Sequence, residues 1–355
     1  MSPLTVREVT DLGGRRAAWD DLVLHAAVPT PFLRSWWLEA VAPPAVSRYL
    51  LVLEGDLLVG GLPVERTRRA GVVQWRFLGQ GKLCPDHLDL LAAPGRAPDV
   101  AAALRHHLTS PRAWVVDLEG LHEASALLAA WPELEVDEVD RAPYTPLAGS
   151  YDDYLASRSK NSRRRFGKIW RRVHEEGFTI RRVEDTDLES GLRAFARLNV
   201  ERGDRAELLA ELPRIERAVR AGVARGEVRV FVGETDGIPG AAALIFTTGG
   251  RASNYQTVRS LDPVFTNAGN VADLAVIRDA CETGLVEFDL LRGDEPYKRH
   301  FVSEDRQVLR ARASGGAGGR TMHAADLLRE RSRRRVGAWA KKVRTPVDQT
   351  APAPH

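Results

Sequence analysis

The stretch FDLLRGDEPYKRHF, residues 288–301, sets an apolar run directly against a dense group of charged and polar side chains. The run VEFDLLRG, 286–293, has the composition of a buried strand. The segment after it begins like a helix, with Asp294 as the N-cap and Pro296 in the first turn. Strand ends of this kind are where α/β folds place their ligands, and one acid, one tyrosine and one lysine suffice to move a proton or to hold a polar substrate. These residues alone favour a functional site and an ordinary helix start equally.

The elements predicted around this stretch occur in the same order twice. In the first half, hydrophobic periodicity predicts helices at 13–28, 31–42, 98–109 and 122–131, and strands at 47–56, 57–67, 73–79, 86–94, 113–121 and 133–144. In the second half, it predicts helices at 152–176, 187–200, 205–225, 269–283 and 294–301, and strands at 226–237, 238–249, 251–261, 286–293 and 306–313. Since 355 residues are also long for one domain, we expect two tandem lobes of α/β (α+β) class, 1–147 and 148–313.

The remaining residues, 314–355, are predicted to form three parts. SGGAGG, 314–319, reads as a flexible linker. LLRERSRRRVGAWAKKVR, 327–344, is predicted to be a basic helix, and TPVDQTAPAPH, 345–355, a disordered tail.

Two basic elements stand out against an otherwise acidic chain. RSKNSRRRFGKIWRR, 158–172, holds eight Lys or Arg and no acid, and 320–344 holds nine basic and two acidic residues. Because the whole chain carries only +3, the rest of it is net negative. Such a pattern favours local contact of the two basic elements with phosphates or carboxylates. It is less typical of a protein that binds a polyanion over its whole surface. The apolar positions of 158–172 share one helical stripe, so a solvated amphipathic helix remains the alternative.

Several classes of protein are excluded or disfavoured by composition. No apolar run approaches the roughly 18 residues that span a bilayer, and the N-terminal residues lack the apolar core of a signal peptide, so we expect a cytoplasmic chain. Cys84 and Cys281 cannot form a disulfide framework or a zinc site alone, and the adjacent His106 and His107 point to different helix faces, so no metal is expected. GQGK, 79–82, lacks the first Gly and the Ser/Thr of a phosphate-binding P-loop.

FDLLRGDEPYKRHF resembles the strand–helix signature F-D-F-L-R-G-D-E-P-Y-K of the CelD-type, FemAB-like branch of the GNAT acyltransferase superfamily. Three further stretches resemble other elements of that branch: YDDYLASRSKNSRRRFGKIWRRVHEEG (151–177), PFLRSWWLEAVAP (31–43) and CPDHLDLLAAP (84–94). The resemblance covers roughly residues 30–312. It implies two GNAT-like lobes, each a mixed, mostly antiparallel sheet flanked by helices, with the active cleft in the second lobe.

The resemblance also implies roles for the residues of the signature. GNAT-like enzymes transfer an acyl group from a thioester to an amine, and this chemistry needs a base, oxyanion donors and an acid for the leaving thiolate. Tyr297 takes the place of that acid, and Asp294 is the candidate base or acceptor anchor. Arg292 and Lys298 are expected to hold an anionic group, and Glu295 to bind substrate. A packed aromatic ring is the alternative for Tyr297.

Asn254 and Gln256 alternate to one face of the strand 251–261, where they either line the cleft or face solvent at an edge. The family binds the pyrophosphate of coenzyme A on backbone N–H groups in a glycine-containing turn before a helix. The corresponding turn here is VFTNAGNVADL, which assigns cofactor binding to Asn267, Gly269 and Asn270. Val271 stands where a second small residue belongs, which weakens this assignment. Acyl-coenzyme A is thus expected as a co-substrate, with no cofactor permanently bound.

Three functions remain open. The first is an N-acyltransferase that moves an acyl group, acetyl in the simplest case, from acyl-coenzyme A to a small polar or sugar-like amine. The second is an aminoacyl-tRNA-dependent transferase of FemAB type, in which the basic helices would serve RNA. The third is a catalytically degenerate binding module. The first lobe ends its corresponding strand in DLEGLHEAS instead of RGDEPYK, so we expect that lobe to be inactive.

Overall fold

The computed structural model describes the backbone of residues 3–293 and 295–344, and the side chains of these residues up to 332. The described residues form ten α-helices, five short 3-10 helices and a sheet of thirteen strands. The first half contains β1 (Leu4–Val9), α1 (Arg16–Leu24), α2 (Ser35–Val41), β2 (Ser47–Glu54), β3 (Leu57–Arg69), β4 (Val72–Phe77), β5 (Leu91–Ala92), α3 (Ala97–Thr109), β6 (Trp114–Leu121), α4 (Ala126–Ala130) and β7 (Glu135–Pro146). The second half contains α5 (Tyr151–Ser157), α6 (Lys160–Glu175), β8 (Thr179–Arg182), α7 (Leu188–Arg202), α8 (Ala206–Val223), β9 (Val228–Thr235), β10 (Ile238–Thr248), β11 (Arg251–Arg259), α9 (Ala268–Glu282), β12 (Glu287–Asp289), β13 (Glu304–Gly315) and α10 (Gly316–Arg344).

The two halves share one continuous sheet. Its strand order is β1-β2-β3-β4-β6-β13-β7-β12-β11-β10-β9-β8, and β5 pairs separately with β3. The halves exchange their last strands: β13 lies between β6 and β7 of the first half, and β7 pairs with β12 of the second. The predicted α/β class with a mixed, mostly antiparallel sheet is confirmed, but the two lobes are joined through that sheet.

Each half contains one parallel strand pair, β4 with β6 and β11 with β12. The second pair is short, because only Arg251–Ser253 lies in register with Glu287–Asp289. Beyond Asp289 the chain leaves the strand direction, with φ of 53° at Leu291 and 116° at Gly293. β11 continues to Arg259 without that neighbour, so a gap opens in the middle of the sheet.

A hydrophobic core also joins the two lobes. The rings of Trp36 and Trp37 on α2 each lie 5.5 Å from the ring of Phe246 on β10, and Trp37 lies 5.3 Å from Tyr255 on β11. The indole N–H of Trp36 donates to Glu227, which also pairs with Arg34. Fully buried aromatic rings are among the largest contributors to core stability, so the relative placement of the lobes is part of the fold.

The region around the signature stretch is less regular than predicted. The strand expected at 286–293 is limited to Glu287–Asp289, and the helix expected at 294–301 is a single 3-10 turn, Lys298–His300. The positive φ angle at Leu291 is the physical reason, because it ends the extended conformation early.

Two further predictions about elements are wrong. The helix predicted at 152–176 is divided into α5 and α6, since Arg158 is extended and Ser159 caps a new helix with its hydroxyl. SGGAGG is not a linker: it contains the end of β13 and the first turn of α10. Its glycines are needed for close packing, because a Cβ on Gly316 would lie 2.2 Å from the Arg112 carbonyl oxygen and one on Gly319 would lie 2.3 Å from that of Trp114. The basic helix predicted at 327–344 is the second part of α10, whereas the predicted tail 345–355 lies outside the described residues.

Candidate active site

A cavity of about 190 Å³ lies where β11 and β12 separate. Its walls come from β11, from the chain after β12, from the start of α8 and from the loop before β5 in the first lobe. Its polar and charged lining residues are Cys84, Asp86, Arg205, Asn254, Gln256, Thr257, Arg292, Glu295, Tyr297 and Lys298. All the predicted substrate-binding residues and Tyr297 therefore line one cavity. Asp294, the other predicted catalytic residue, lies outside the described residues.

A bulge in β11 determines how the side chains of this strand are oriented at the cavity. Leu244 of β10 pairs with Gln256 and Ile245 pairs with Asn254, so Tyr255 is the extra residue. Tyr255 turns its ring onto Phe246 in the core, at a centroid distance of 4.8 Å. Asn254 and Gln256 both line the cavity, so the solvent-edge alternative is wrong for them.

A buried acid that the sequence analysis did not identify lies behind this wall. Asp273, on the inner face of α9, is 1% exposed and accepts hydrogen bonds from Asn254 Nδ2 at 2.9 Å and Thr257 Oγ1 at 3.1 Å. Burial raises the pKa of Asp273 to about 7, although both hydrogen bonds and the charge of Lys298 act in the opposite direction. A carboxyl group with such a pKa exists in both protonation states at neutral pH, as proton transfer requires.

Tyr297 lies at the opening of the cavity with 39% of its surface exposed. Burial raises the pKa of its hydroxyl, and the nearby charges of Asp273 and Glu295 act in the same direction, opposed by Arg205. Its ring also packs edge-on against Phe301, with centroids 6.3 Å apart. A neutral tyrosine at this position is a proton donor, which agrees with its predicted role but does not test it.

Lys298 is buried, and its side chain binds the backbone that follows β12. Its ammonium group donates to the carbonyl oxygens of Leu290, Leu291 and Arg292 at 3.2, 3.3 and 2.8 Å, and pairs with Glu295 at 3.0 Å. These carbonyl groups lie in the irregular segment after β12, where the described strands offer them no backbone donor. Its predicted contact with an anion stays a prediction, but its observed contacts are those of a positioning residue.

Arg292 joins the two lobes. Its backbone N–H and its Nε both donate to the fully buried Asp86, at 2.7 and 2.6 Å, and its Nη1 donates to Glu119 at 2.9 Å. Burial raises the pKa of Asp86, and the neighbouring guanidinium opposes this shift. Arg292 therefore already has two carboxylate partners. Arg205 donates to Gln256 at 3.3 Å, and the carboxylate that pairs with it among the described residues, Asp204, lies at the longer distance of 3.8 Å.

A second buried ion pair supports the same junction. His87 Nε2 lies 2.7 Å from Asp289 Oδ2 at the end of β12. Burial alone would lower the pKa of His87, but Asp289 outweighs it and raises that pKa, while the pKa of Asp289 falls. Two neighbouring links between the lobes, Arg292 with Asp86 and His87 with Asp289, therefore hold the strand end that forms the cavity.

The residues predicted to bind coenzyme A begin α9. Asn267 precedes the helix, its side chain makes no capping hydrogen bond, and the first turn contains no acid. A Cβ on Gly269 would lie 3.9 Å from Arg259 Cβ and 4.0 Å from the Thr257 methyl group, so this turn adjoins the β11 wall. The first N–H groups of a helix have no acceptor within it and attract phosphate. The turn that contains Gly269 and Asn270 thus fits an anionic group beside the cavity.

The sequence analysis missed Asp273, Arg205 and Thr257, together with the contribution of Cys84 and Asp86 from the first lobe. One signal was present for Asp273, a single acid among the apolar residues of the inner face of α9. The others are brought to the cavity by lobe packing and by the start of α8, which spacing along the chain does not indicate.

Comparison with known proteins shows what this chain is similar to. Residues 157–299 match the family described as "Acetyltransferase (GNAT) domain". Among solved structures, FemX is 12% identical, covers 86% of this chain and 96% of its own, and has a TM-score of 0.63. The C-terminal domain of a protein described as a lysylphosphatidylglycerol synthetase, from Agrobacterium fabrum, is 11% identical, with 88% and 96% covered and a TM-score of 0.56. L-PGS from Bacillus licheniformis is 12% identical, with 78% and 89% covered and a TM-score of 0.54.

At these identities the solved structures establish the fold alone. The comparison with curated proteins finds no match. Within the described part of the chain, every helix is too short or too polar to cross a membrane. The match at 157–299 covers α6 to the 3-10 turn after Tyr297, and so includes both walls of the gap between β11 and β12. Residues 157–299 of the chain therefore match the family model of the GNAT acetyltransferase domain, within a fold that is similar to that of FemX.

Proposed function

We propose that this protein transfers an acyl group, acetyl in the simplest case, from acyl-coenzyme A to the amine of a small polar or sugar-like acceptor. The observation that carries this proposal is the uncapped, acid-free first turn of α9 beside the gap between β11 and β12. A phosphate group on that turn would leave the thioester end of the donor free to reach the cavity, where the polar side chains converge.

The reaction is a direct attack. The neutral amine nitrogen adds to the thioester carbonyl carbon, and the carbon–sulfur bond breaks. The nitrogen, positively charged after the attack, releases one proton and the leaving sulfur takes up one, so an amide and a thiol are formed. Tyr297 would donate a proton to the leaving sulfur, which its raised pKa permits because the hydroxyl stays protonated. The acceptor ammonium must first lose a proton. Asp273 is a candidate to receive it through the Thr257 hydroxyl, while Asp294 stays the candidate predicted from the sequence.

The remaining cavity residues favour a small polar acceptor. Glu295 is exposed at the opening and would attract an ammonium group, and Gln256 offers an amide within the cavity. Arg205 would hold an anionic substituent of the acceptor, or the carbonyl oxygen as it becomes negative. Lys298 and Arg292 would contribute indirectly, because their contacts fix the position of the chain after β12 that forms one wall of the cavity.

Aminoacyl-tRNA as donor is the second candidate function. The observation that favours it is the outer face of α6, where seven Lys or Arg side chains are exposed and only Arg172 has a carboxylate within 4 Å in the described part of the chain. FemX is among the solved structures with a similar fold. A charged helix of this kind would contact RNA phosphates with a strong dependence on salt.

Thermal unfolding with acetyl-coenzyme A tests the donor. We expect the ligand to raise Tm, since it binds only the native state. Gly269→Asp places a negative charge in the first turn of α9, where it favours the helix but repels phosphate. This variant should keep its Tm without ligand and lose the shift. Gly269→Ala is the matched control, because a methyl group there has only ordinary contacts, and it should keep most of the shift.

The outcomes separate the three candidates. No shift in the wild type, together with salt-sensitive binding of tRNA, would transfer the proposal to the aminoacyl-tRNA donor. If the protein shows neither a Tm shift with acetyl-coenzyme A nor binding of tRNA, the third candidate, a catalytically degenerate binding module, is the one that remains. Once a screen of amines has found an acceptor, Tyr297→Phe should lower kcat by on the order of 100-fold, the usual contribution of one general acid. An unchanged kcat would remove Tyr297 from the mechanism.

A further inference from the structure

α6 contains a glycine that neither packing nor backbone conformation explains. Gly167 lies in the middle of the helix, has no positive φ angle, and a Cβ placed on it would have no atom within 4 Å. Glycine is the poorest helix former after proline, so an exposed helical position with free space would ordinarily favour another residue. Gly167 does line a second cavity, and because it is exposed it lies at the opening of that cavity.

This second cavity has a volume of about 350 Å³ and lies between α5, α6 and α9. It shares no lining residue with the candidate active site. Five of its lining residues are apolar or aromatic: Tyr151, Leu155, Phe166, Trp170 and Leu274. Its volume is within the range of small-molecule pockets. Any side chain at 167 larger than hydrogen would narrow the opening.

Three arginines surround this opening. Arg163 and Arg171 are four residues before and after Gly167, so they lie one turn to either side of it on the same face of α6. Arg278 of α9 lies at the inner side, with its guanidinium 4.7 Å from the ring centroid of Tyr151 and 4.9 Å from that of Trp170. None of the three has a carboxylate within 4 Å in the described part of the chain.

The placement of Arg278 is that of a prepared anion site. Its side chain is half-buried, its guanidinium lies over the rings of Tyr151 and Trp170, and it shares one hydrogen bond with the Tyr151 side chain. Since a guanidinium has five N–H donors, others are available to an anion. Among the described residues, Arg163 and Arg171 donate to backbone carbonyl oxygens, those of Ala156, Arg158 and Gly167. The acids of α5, Asp152 and Asp153, are exposed, and Asp153 is bound to Ser150. Asp279 and Glu282 line a neighbouring cavity together with Arg278, where Asp279 is paired with Arg229 and Glu282 is exposed.

We propose that this cavity binds an amphiphilic anion, with its apolar part between Phe166, Trp170 and Leu274 and its carboxylate or phosphate on Arg278. Arg163 and Arg171 attract the anion to the opening, and Gly167 keeps that opening clear. The basic stretch at 158–172 then has a specific use on this face of α6, separate from the acyl-transfer cleft.

Calorimetric titration of the full-length protein with decanoate and decyl phosphate tests the site. Both anions should bind at least tenfold more tightly than decyl maltoside, which lacks the charge, and than inorganic phosphate, which lacks the chain. Gly167→Leu should lower the affinity at least tenfold by filling the opening, and Arg278→Gln should do the same by removing the charge. Gly167→Ala should lower it less than Gly167→Leu. Arg164→Gln is the matched control, since Arg164 is an exposed cation of α6 that does not line the cavity.

Circular dichroism and Tm of each variant separate loss of binding from loss of fold. Affinity for decanoate that is unchanged in Gly167→Leu, or reduced equally in Arg164→Gln, would overturn the proposal. Flotation with vesicles of phosphatidylglycerol and phosphatidylcholine, against phosphatidylcholine alone, identifies the source of the anion. If Gly167→Leu and Arg278→Gln lower vesicle binding as well as decanoate binding, the site is assigned to a bilayer lipid. Absent or unaffected vesicle binding assigns it to a soluble amphiphile.

Discussion

Among single residues, Asp273 is an ionisable side chain in an almost fully buried position, where packing alone would favour an apolar residue. A carboxyl group that is 1% exposed loses hydration, and within the described part of the chain two hydrogen-bond donors, Asn254 and Thr257, compensate for it. Its pKa rises from an ordinary value of 3.8 to about 7. Because the folded state holds the proton more tightly than the unfolded chain, this group makes the protein less stable as pH rises between these two values.

The pH dependence of stability tests this conclusion. Between pH 4 and 7, the free energy of unfolding of the wild type should fall relative to that of Asp273→Asn, by at most about 1.4 kcal/mol per pH unit. Urea unfolding at several pH values measures the difference. Asp185→Asn, at an exposed acid, should keep the wild-type slope. Parallel profiles for wild type and Asp273→Asn would show that Asp273 does not titrate in this range.

Lys298 allows a second prediction for a single residue. Replacement of this buried side chain by methionine keeps its length but removes the donor for three backbone carbonyl groups. We expect Lys298→Met to lower the free energy of unfolding by at least about 2 kcal/mol. Lys168→Met, at an exposed position of α6, should change it by less than about 0.5 kcal/mol. Equal effects in denaturant unfolding would contradict the positioning role.

For whole elements, periodicity predicted most helices and strands, but tertiary contacts decided their ends. α9 and β9 to β11 agree closely with the predictions, since each has a long apolar face. Residues 314–319 do not, because their glycines serve a close approach to Arg112 and Trp114 that composition does not reveal. Similarly, alternation placed Asn254 and Gln256 on one face of a strand but left open whether that face meets the cleft or solvent. Asp86 and Arg205 reach the cavity through the packing of the first lobe and of α8.

The division between α5 and α6 gives the prediction for an element. Ser159 Oγ accepts the Ser162 N–H at 3.1 Å, so its hydroxyl starts α6. Ser159→Ala should therefore lower the free energy of unfolding by about 1 kcal/mol. Asn161→Ala is the control, since Asn161 is exposed and lies inside the helix, where alanine is at least as favourable. A single continuous helix through 158 would instead make Ser159→Ala neutral or stabilising.

For the whole molecule, the exchange of last strands determines how the lobes can fold. β13 finds both of its partners, β6 and β7, in the first half, while β12 has β7 on one side. Trp36 and Trp37 cover Phe246 and Tyr255 of the second half. Removal of residues 1–147 would thus leave β13 without its strand partners and expose the rings of Phe246 and Tyr255 in the second half.

We expect the fragment 148–355 to lack a cooperative thermal transition and to aggregate, although it contains the whole GNAT match. Co-expression with 1–147 should restore a soluble, cooperatively unfolding complex, as measured by size-exclusion chromatography and circular dichroism. A protease site inserted at the exposed residues 148–149 is the matched control. Cleavage after folding removes the covalent link but leaves the shared sheet, so the two pieces should stay together and keep one transition. Cooperative unfolding of the isolated fragment would instead mean that β13 can pair within its own lobe.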